Sequence, residues 1–212
     1  MTNQSTTTRL VLALALGILG MAAWIAPASA APEPSPVSVA WEFRFEPGPL
    51  RLAWVEHEGD LSPYFYLTFK ITNYSGQDLL FAPDVTLVAD GHETYSAGRD
   101  VPSRVNAEIL KRLDNPLIES KIDIVSTVLE GPEHARQGVV IWPARDLDVD
   151  EIKIFFSGLS GEFETYVVGR DTNDPARFTL RKSLMLRYAT PGEFADQGSR
   201  PFELIEERWV MR

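Results

Sequence analysis

The chain has 212 residues, is 44% hydrophobic, 24% charged and 10% aromatic, contains no cysteine and carries a formal net charge of −10. These values exclude a disordered chain, a multi-pass membrane protein, a collagen-like fibre and a disulfide scaffold. The acidic balance repels phosphate backbones, so nucleic acid is not expected as a partner.

Residues 1–30 read as an export signal. Arg9 is the only charged residue before an apolar run from Leu10 to Ala26. Pro27 then breaks the run, and Ala28-Ser29-Ala30 supplies the small residues a signal peptidase accepts, so cleavage is expected after about Ala30. As a helix the apolar run spans roughly 25 Å, short of the ~30 Å hydrocarbon core, which argues against a permanent anchor. Removing it deletes one base and no acid and moves the net charge to −11, leaving 182 residues. With no thiol at the processing site to carry a lipid, the product is expected off the membrane, periplasmic or extracellular. Stability without disulfides leans towards a bacterial envelope.

Ala31 to Pro36 has proline at every second position and reads as a stiff extended linker. Alternation starts at once after it: Val37, Val39, Trp41, Phe43 and Phe45 predict a half-buried strand. Pro47-Gly48-Pro49 is expected to turn the chain into a second strand around Leu50–Glu58, with a loop from Gly59 to Pro63. Tyr64–Tyr74 is the clearest strand. Phe65, Leu67, Phe69 and Ile71 face one side, and Tyr66, Thr68, Lys70 and Thr72 the other. Asn73 to Gly76 is turn chemistry. Leu79–Phe81 and Asp84–Ala89 continue as strands, and Asp90-Gly91 predicts a hairpin returning through Thr94-Tyr95.

The period then changes. Val105, Ile109, Leu110 and Leu113 recur at helical spacing behind Pro102, predicting a helix over Pro102–Leu113. Leu117–Leu129 fits either state. Ile118, Ile122, Val125 and Leu129 share one helical face, yet the segment is rich in β-branched residues; the helical reading is taken. After Gly131-Pro132, strands are expected at Gly138–Trp142, Glu151–Phe156, Phe163–Val168, Phe178–Tyr188 and Leu204–Met211, with turns at Gly169 to Pro175 and Pro191 to Pro201. The pattern predicts a mainly β fold: one β-sandwich domain over residues 37–212, of roughly seven to nine strands, with a short helical insertion near 102–129.

The run Thr72-Asn73-Tyr74-Ser75-Gly76, then Leu80-Phe81-Ala82-Pro83, Leu87 and Asp90-Gly91 to Tyr95, resembles a bacterial exported immunoglobulin-like (telokin-like) domain family. Gly131, Gly138–Trp142 and Asp150–Phe156 follow in a compatible order, while the insertion at Pro102–Leu129 departs from the simple pattern. The resemblance implies an immunoglobulin-like sandwich; the family's function is itself undefined, so it implies no activity.

Chemistry-bearing constellations are sparse. His57, His92 and His134 are widely spaced and form no local metal pair. The serines of Ser157-Gly158-Leu159-Ser160-Gly161 lack a nucleophile elbow, and no carboxylate pair stands out as a glycosidase dyad. Asp146, Asp148 and Asp150 form the best metal candidate, since alternate acids in an extended loop suit Ca²⁺. Their spacing is not that of an EF-hand, and a plain acidic turn before the strand at Ile152–Phe156 is the favoured reading. Asp171 to Pro175 reads as a turn. Tyr64, Tyr66 and Tyr74, opposite the apolar set of their strand, are the candidate contact surface for a protein or a sugar, unless the helix at Pro102–Leu113 covers that face. The expected function is a non-catalytic exported module with an envelope protein as partner. A carbohydrate- or calcium-binding domain is the alternative, and a hydrolase stands behind it.

Overall fold

The computed structural model describes residues 32–91, 93–168, 176–190, 198 and 200–212. The expected signal segment, Ala31, His92, most of the Gly169–Pro175 and Pro191–Pro201 turns and the Asp171 to Pro175 acids lie outside the described residues. Two compact units divide the chain, Met1–Pro32 and Glu33–Arg212. All that follows concerns the second.

Among the described residues the fold is mainly β, with several sheets and one short helix. In chain order the elements are β1 (Phe43–His57), β2 (Asp60–Asn73), β3 (Leu79–Phe81), β4 (Asp84–Ala89), β5 (Glu93–Ser96), α1 (Ser103–Leu113), β6 (Ile118–Ser120), β7 (Ser126–Val128), β8 (Gly131–Pro143), β9 (Glu151–Ser157), β10 (Phe163–Val168), β11 (Ala176–Ala189) and β12 (Glu203–Met211). One sheet runs β1-β2-β8-β6, a second β10-β11-β9-β4-β5 with β12 also on β11, and β3 pairs β7. Every pairing is antiparallel except β6 on β8.

Strand faces follow the pleat. Phe65, Leu67, Phe69 and Ile71 of β2 enter one buried cluster with Val140 and Trp142 of β8. The second sheet supplies Val85 and Leu87, Ile154 and Phe156, and Leu184, Leu186 and Tyr188 to the same cluster. On the other face of β2 and β8, Tyr64, Val139 and Ile141 pack with Ala53 and Val55 beneath Val105 and Ile109 of α1. Burial on both faces explains why Gly138–Trp142 reads as an unbroken apolar run. The charged face of the second sheet carries ion pairs across strands, Arg187–Glu206 and Arg187–Glu151, and within strands, Lys153–Glu151 and Arg208–Glu206.

Four sequence expectations need correction. Val37 and Val39 are exposed, at 74% and 70%, and the first strand starts only at Phe43. Pro47-Gly48-Pro49 does not reverse the chain: β1 is one strand of 15 residues, and the register shifts between Pro47↔Phe69 and Leu50↔Leu67 as a bulge. An edge strand tolerates prolines, and Gly48 is required because a Cβ there would lie 2.2 Å from Thr68 Oγ1. The reversal comes instead at Glu58 and Gly59, both at positive φ (55° and 91°), a two-residue hairpin turn in place of the longer loop. Leu117–Leu129 is not helical. Ser120 Oγ donates to Asp123 Oδ2 at 2.6 Å and accepts from the Asp123 N–H, closing a turn between β6 and β7 that buries Ile124 and leaves Ile122 83% exposed.

Candidate functional site

The expected tyrosine face is not one exposed surface. Tyr64 is 5% exposed beneath α1, so the helix covers that face. Tyr66 is half-buried against the same cluster, and burial raises its phenol pKa while Arg51 and Arg112 act in the opposite direction. Only Tyr74, beyond the end of β2, is exposed, at 51%. Asn73 beside it is fully buried and locks the turn: Nδ2 donates to Gln77 O and Val128 O (2.8 and 2.9 Å), and Oδ1 accepts from the Ser75 N–H.

The acidic loop behaves as a set of turns rather than a ligand cage. Asp146 Oδ1 accepts the Asp148 N–H at 2.9 Å, and Asp90 Oδ1 accepts the N–H groups of Asp150 and Glu151 at 2.9 and 3.0 Å. Among the described residues no three histidine, aspartate or glutamate side chains converge to hold a metal ion. Asp146, Asp148 and Asp150 are therefore not brought together. Differential scanning calorimetry should give the same Tm with and without millimolar Ca²⁺; an upward shift would establish calcium binding by mass action. His57 Nε2 lies 3.8 Å from Glu58 Oε1, and His134 Nε2 lies 3.7 Å from Glu133 Oε1.

Three features emerge that local sequence pattern did not announce. The first is a buried charge cluster. Trp41 to Phe43 pair with Leu159 to Gly161 through Phe43 N–H to Leu159 O (2.8 Å) and Gly161 N–H to Trp41 O (3.0 Å). That pairing brings Glu42 to Lys182 of β11. Lys182, 3% exposed, lies 3.0 Å from Glu42 Oε2 and 3.2 Å from Glu162 Oε2, with its Nζ 5.0 Å from the centre of the Trp209 ring. Glu162 Oε1 accepts the Ser35 N–H at 2.7 Å, so the proline-rich segment is docked on the domain at this point instead of free. The Ser35 N–H leads in holding the Glu162 carboxyl below its ordinary value, against burial and with Lys182 adding to it. Burial pushes the Lys182 ammonium down, but Glu42 and Glu162 outweigh it and hold the pKa above the ordinary lysine value. A signal was present: Lys182 is in phase with Leu184, Leu186 and Tyr188, where an apolar residue is expected.

The second is the β10–β11 ribbon. Tyr166 lies opposite Phe178, Val167 opposite Arg177 and Phe163 opposite Arg181. Residues 163–165 and 176–179 are exposed on both faces, with Phe163 at 64% and Phe178 at 52%. At its root, Trp41, Phe163, Ser157, Thr179 and Arg181 help to line a polar groove of about 680 Å³. Gly161 is needed there, since a Cβ would stand 2.4 Å from Trp41 Nε1.

The third is an apolar groove of about 750 Å³ beside α1. Ala97, Ser120, Val139 and Ile141 are its buried residues, Val101 and Asn106 come from the helix side, and Ile122 and Val125 come from the β6–β7 turn. Among the described residues Lys121 is the one charged side chain lining it, and its Nζ donates to Ala97 O at 2.9 Å.

Comparison of the chain with protein-family models, with curated proteins and with solved structures gives no significant match.

Proposed function

We propose that the chain is an exported, non-catalytic, immunoglobulin-like β-sandwich module of the cell envelope, released by cleavage after about Ala30, that engages a protein partner through the β10–β11 ribbon. Support for the sandwich comes from the single cluster filled by both larger sheets. The observation that carries the function is the ribbon, where Phe163, Phe178 and Val168 are exposed on a two-stranded extension. Aromatic and arginine side chains are enriched at protein interfaces. Arg177 and Arg181 share its Phe163 face, so the partner surface is apolar with an acidic rim.

A photo-crosslinking amino acid at Phe163, on the same face as Arg177 and Arg181, with a control at exposed Ala107 on α1, tests this in the native envelope. One defined protein adduct is expected from position 163 and none from 107, with the adduct lost on adding Arg181→Glu. No adduct, or the same adducts from both positions, would overturn the reading. A carbohydrate ligand is the second reading, favoured by Trp41, Phe163 and the hydroxyls of Ser157 and Thr179 around one groove. Glycan-array binding abolished by Trp41→Ala would establish it.

A further inference from the structure

We propose that the groove beside α1 binds the hydrocarbon chain of a fatty acid, with the carboxylate held at Lys121. Its volume, about 750 Å³, falls in the range of sites that bury a small ligand. The walls are aliphatic: Ala97, Val101, Ile122, Val125, Val139 and Ile141. Ile122 and Val125 stand 83% and 47% exposed beside buried Val139 and Ile141, so an occupant removes apolar surface from water on both sides.

What separates a hydrocarbon chain from a peptide is the state of the polar groups in the lining. The Ala97 N–H donates to Val85 O at 2.8 Å and the Gly98 N–H to Ile141 O at 2.9 Å. Ala97 O accepts Lys121 Nζ, and Ser120 Oγ is paired with Asp123. A peptide laid here would bury N–H and C=O groups against a wall whose buried Ala97 and Ser120 are already paired, with only the water-accessible Ser103 and Asn106 side chains as partners, at the desolvation penalty of each unpaired group. An acyl chain carries no such groups. Its head group meets the single cation of the lining: an ammonium has three N–H donors, and the bond to Ala97 O fixes Lys121 at the wall with the others for a carboxylate.

Displacement of dansylaminoundecanoate fluorescence from the purified protein tests the site. Saturable 1:1 binding is expected. Octanoate, decanoate and dodecanoate should displace the probe with affinity rising about fourfold per methylene, the increment of burying one CH₂. Ile122→Asp and Val125→Asp should weaken binding at least tenfold with unchanged Tm, since both side chains already face water. Lys121→Met should weaken dodecanoate about tenfold and leave dodecanol unchanged. Arg181→Glu on the ribbon should leave fatty-acid binding intact, so this site and the ribbon reading fail separately. Absence of saturable binding, an affinity flat in chain length, or full binding by Ile122→Asp would overturn the proposal.

Discussion

Lys182→Met should destabilise the fold by about 3–5 kcal/mol, because removing one partner of a buried pair leaves an uncompensated charge inside. The side chains match in length, so the change removes the charge and its hydrogen bonds with little change in packed volume. Glu162, 8% exposed, is then left to its hydrogen bonds from Ser35, and Glu42 loses its hold on β11. Glu162→Gln added to Lys182→Met should recover part of the loss, since a neutral group tolerates burial better than an orphaned carboxylate.

The pH dependence has a defined sign. Glu162 titrates below its ordinary value of 4.5 in the folded chain, so its contribution is present above that value and lost as pH falls through the folded pKa. Glu151, held down first by its hydrogen bond from Lys153, adds in the same direction. Lys182 titrates above 10.5, so its contribution is complete below that value and lost as pH rises through the folded pKa. The cluster is therefore fully formed between these limits. In Lys182→Met the acid limb should move to higher pH. Urea unfolding at neutral and acid pH measures both effects, and a loss under 1 kcal/mol with an unmoved acid limb would show that the pair is not buried in solution.

Where neighbours along the chain decide the structure, the sequence is a good guide. The alternation in β2 assigns Phe65, Leu67, Phe69 and Ile71 to the core correctly, and the spacing of Val105 and Ile109 finds α1 because a helix buries its own stripe. Asp90-Gly91 makes the expected hairpin, with both residues at positive φ. Where distant segments decide, it fails. Whether Pro47-Gly48-Pro49 turns or bulges depends on Thr68 across the sheet. Whether Tyr64 is exposed depends on α1, some forty residues later in the chain. Ser120 and Asp123 cap a single turn, closed by Ile124 N–H to Ser120 O and then by the tighter Val125 N–H to Ile122 O, and β7 follows at once, so the helical phase of Ile118, Ile122 and Val125 is not carried on. The groove draws on segments from Ala97 to Ile141 and has no local signature, while the charge cluster draws on segments from Ser35 to Trp209 and leaves one local trace, a lysine in the apolar phase of β11.

Phe156→Ala should cost about 3–5 kcal/mol and lower Tm by about 6–20 °C for a unit of this size. Phe156 is fully buried on β9, with its ring 4.6 Å from that of Phe45 on β1 and 5.3 Å from that of Phe69 on β2, and lies opposite Val85 and Leu184 on its own sheet. Truncation removes those ring contacts and leaves a cavity that close-packed neighbours fill only in part. Phe163→Ala on the exposed ribbon should stay within about 0.5 kcal/mol of the parent, which separates loss of burial from loss of an aromatic ring as such. Because the Phe156 ring joins side chains of both larger sheets, the same variant tests whether they form one cooperative unit. Urea unfolding followed by far-ultraviolet circular dichroism and by tryptophan fluorescence should give coincident single transitions, shifted equally in both signals. Separate transitions, with only one signal shifted, would mean that the sheets fold independently and that no common core joins them.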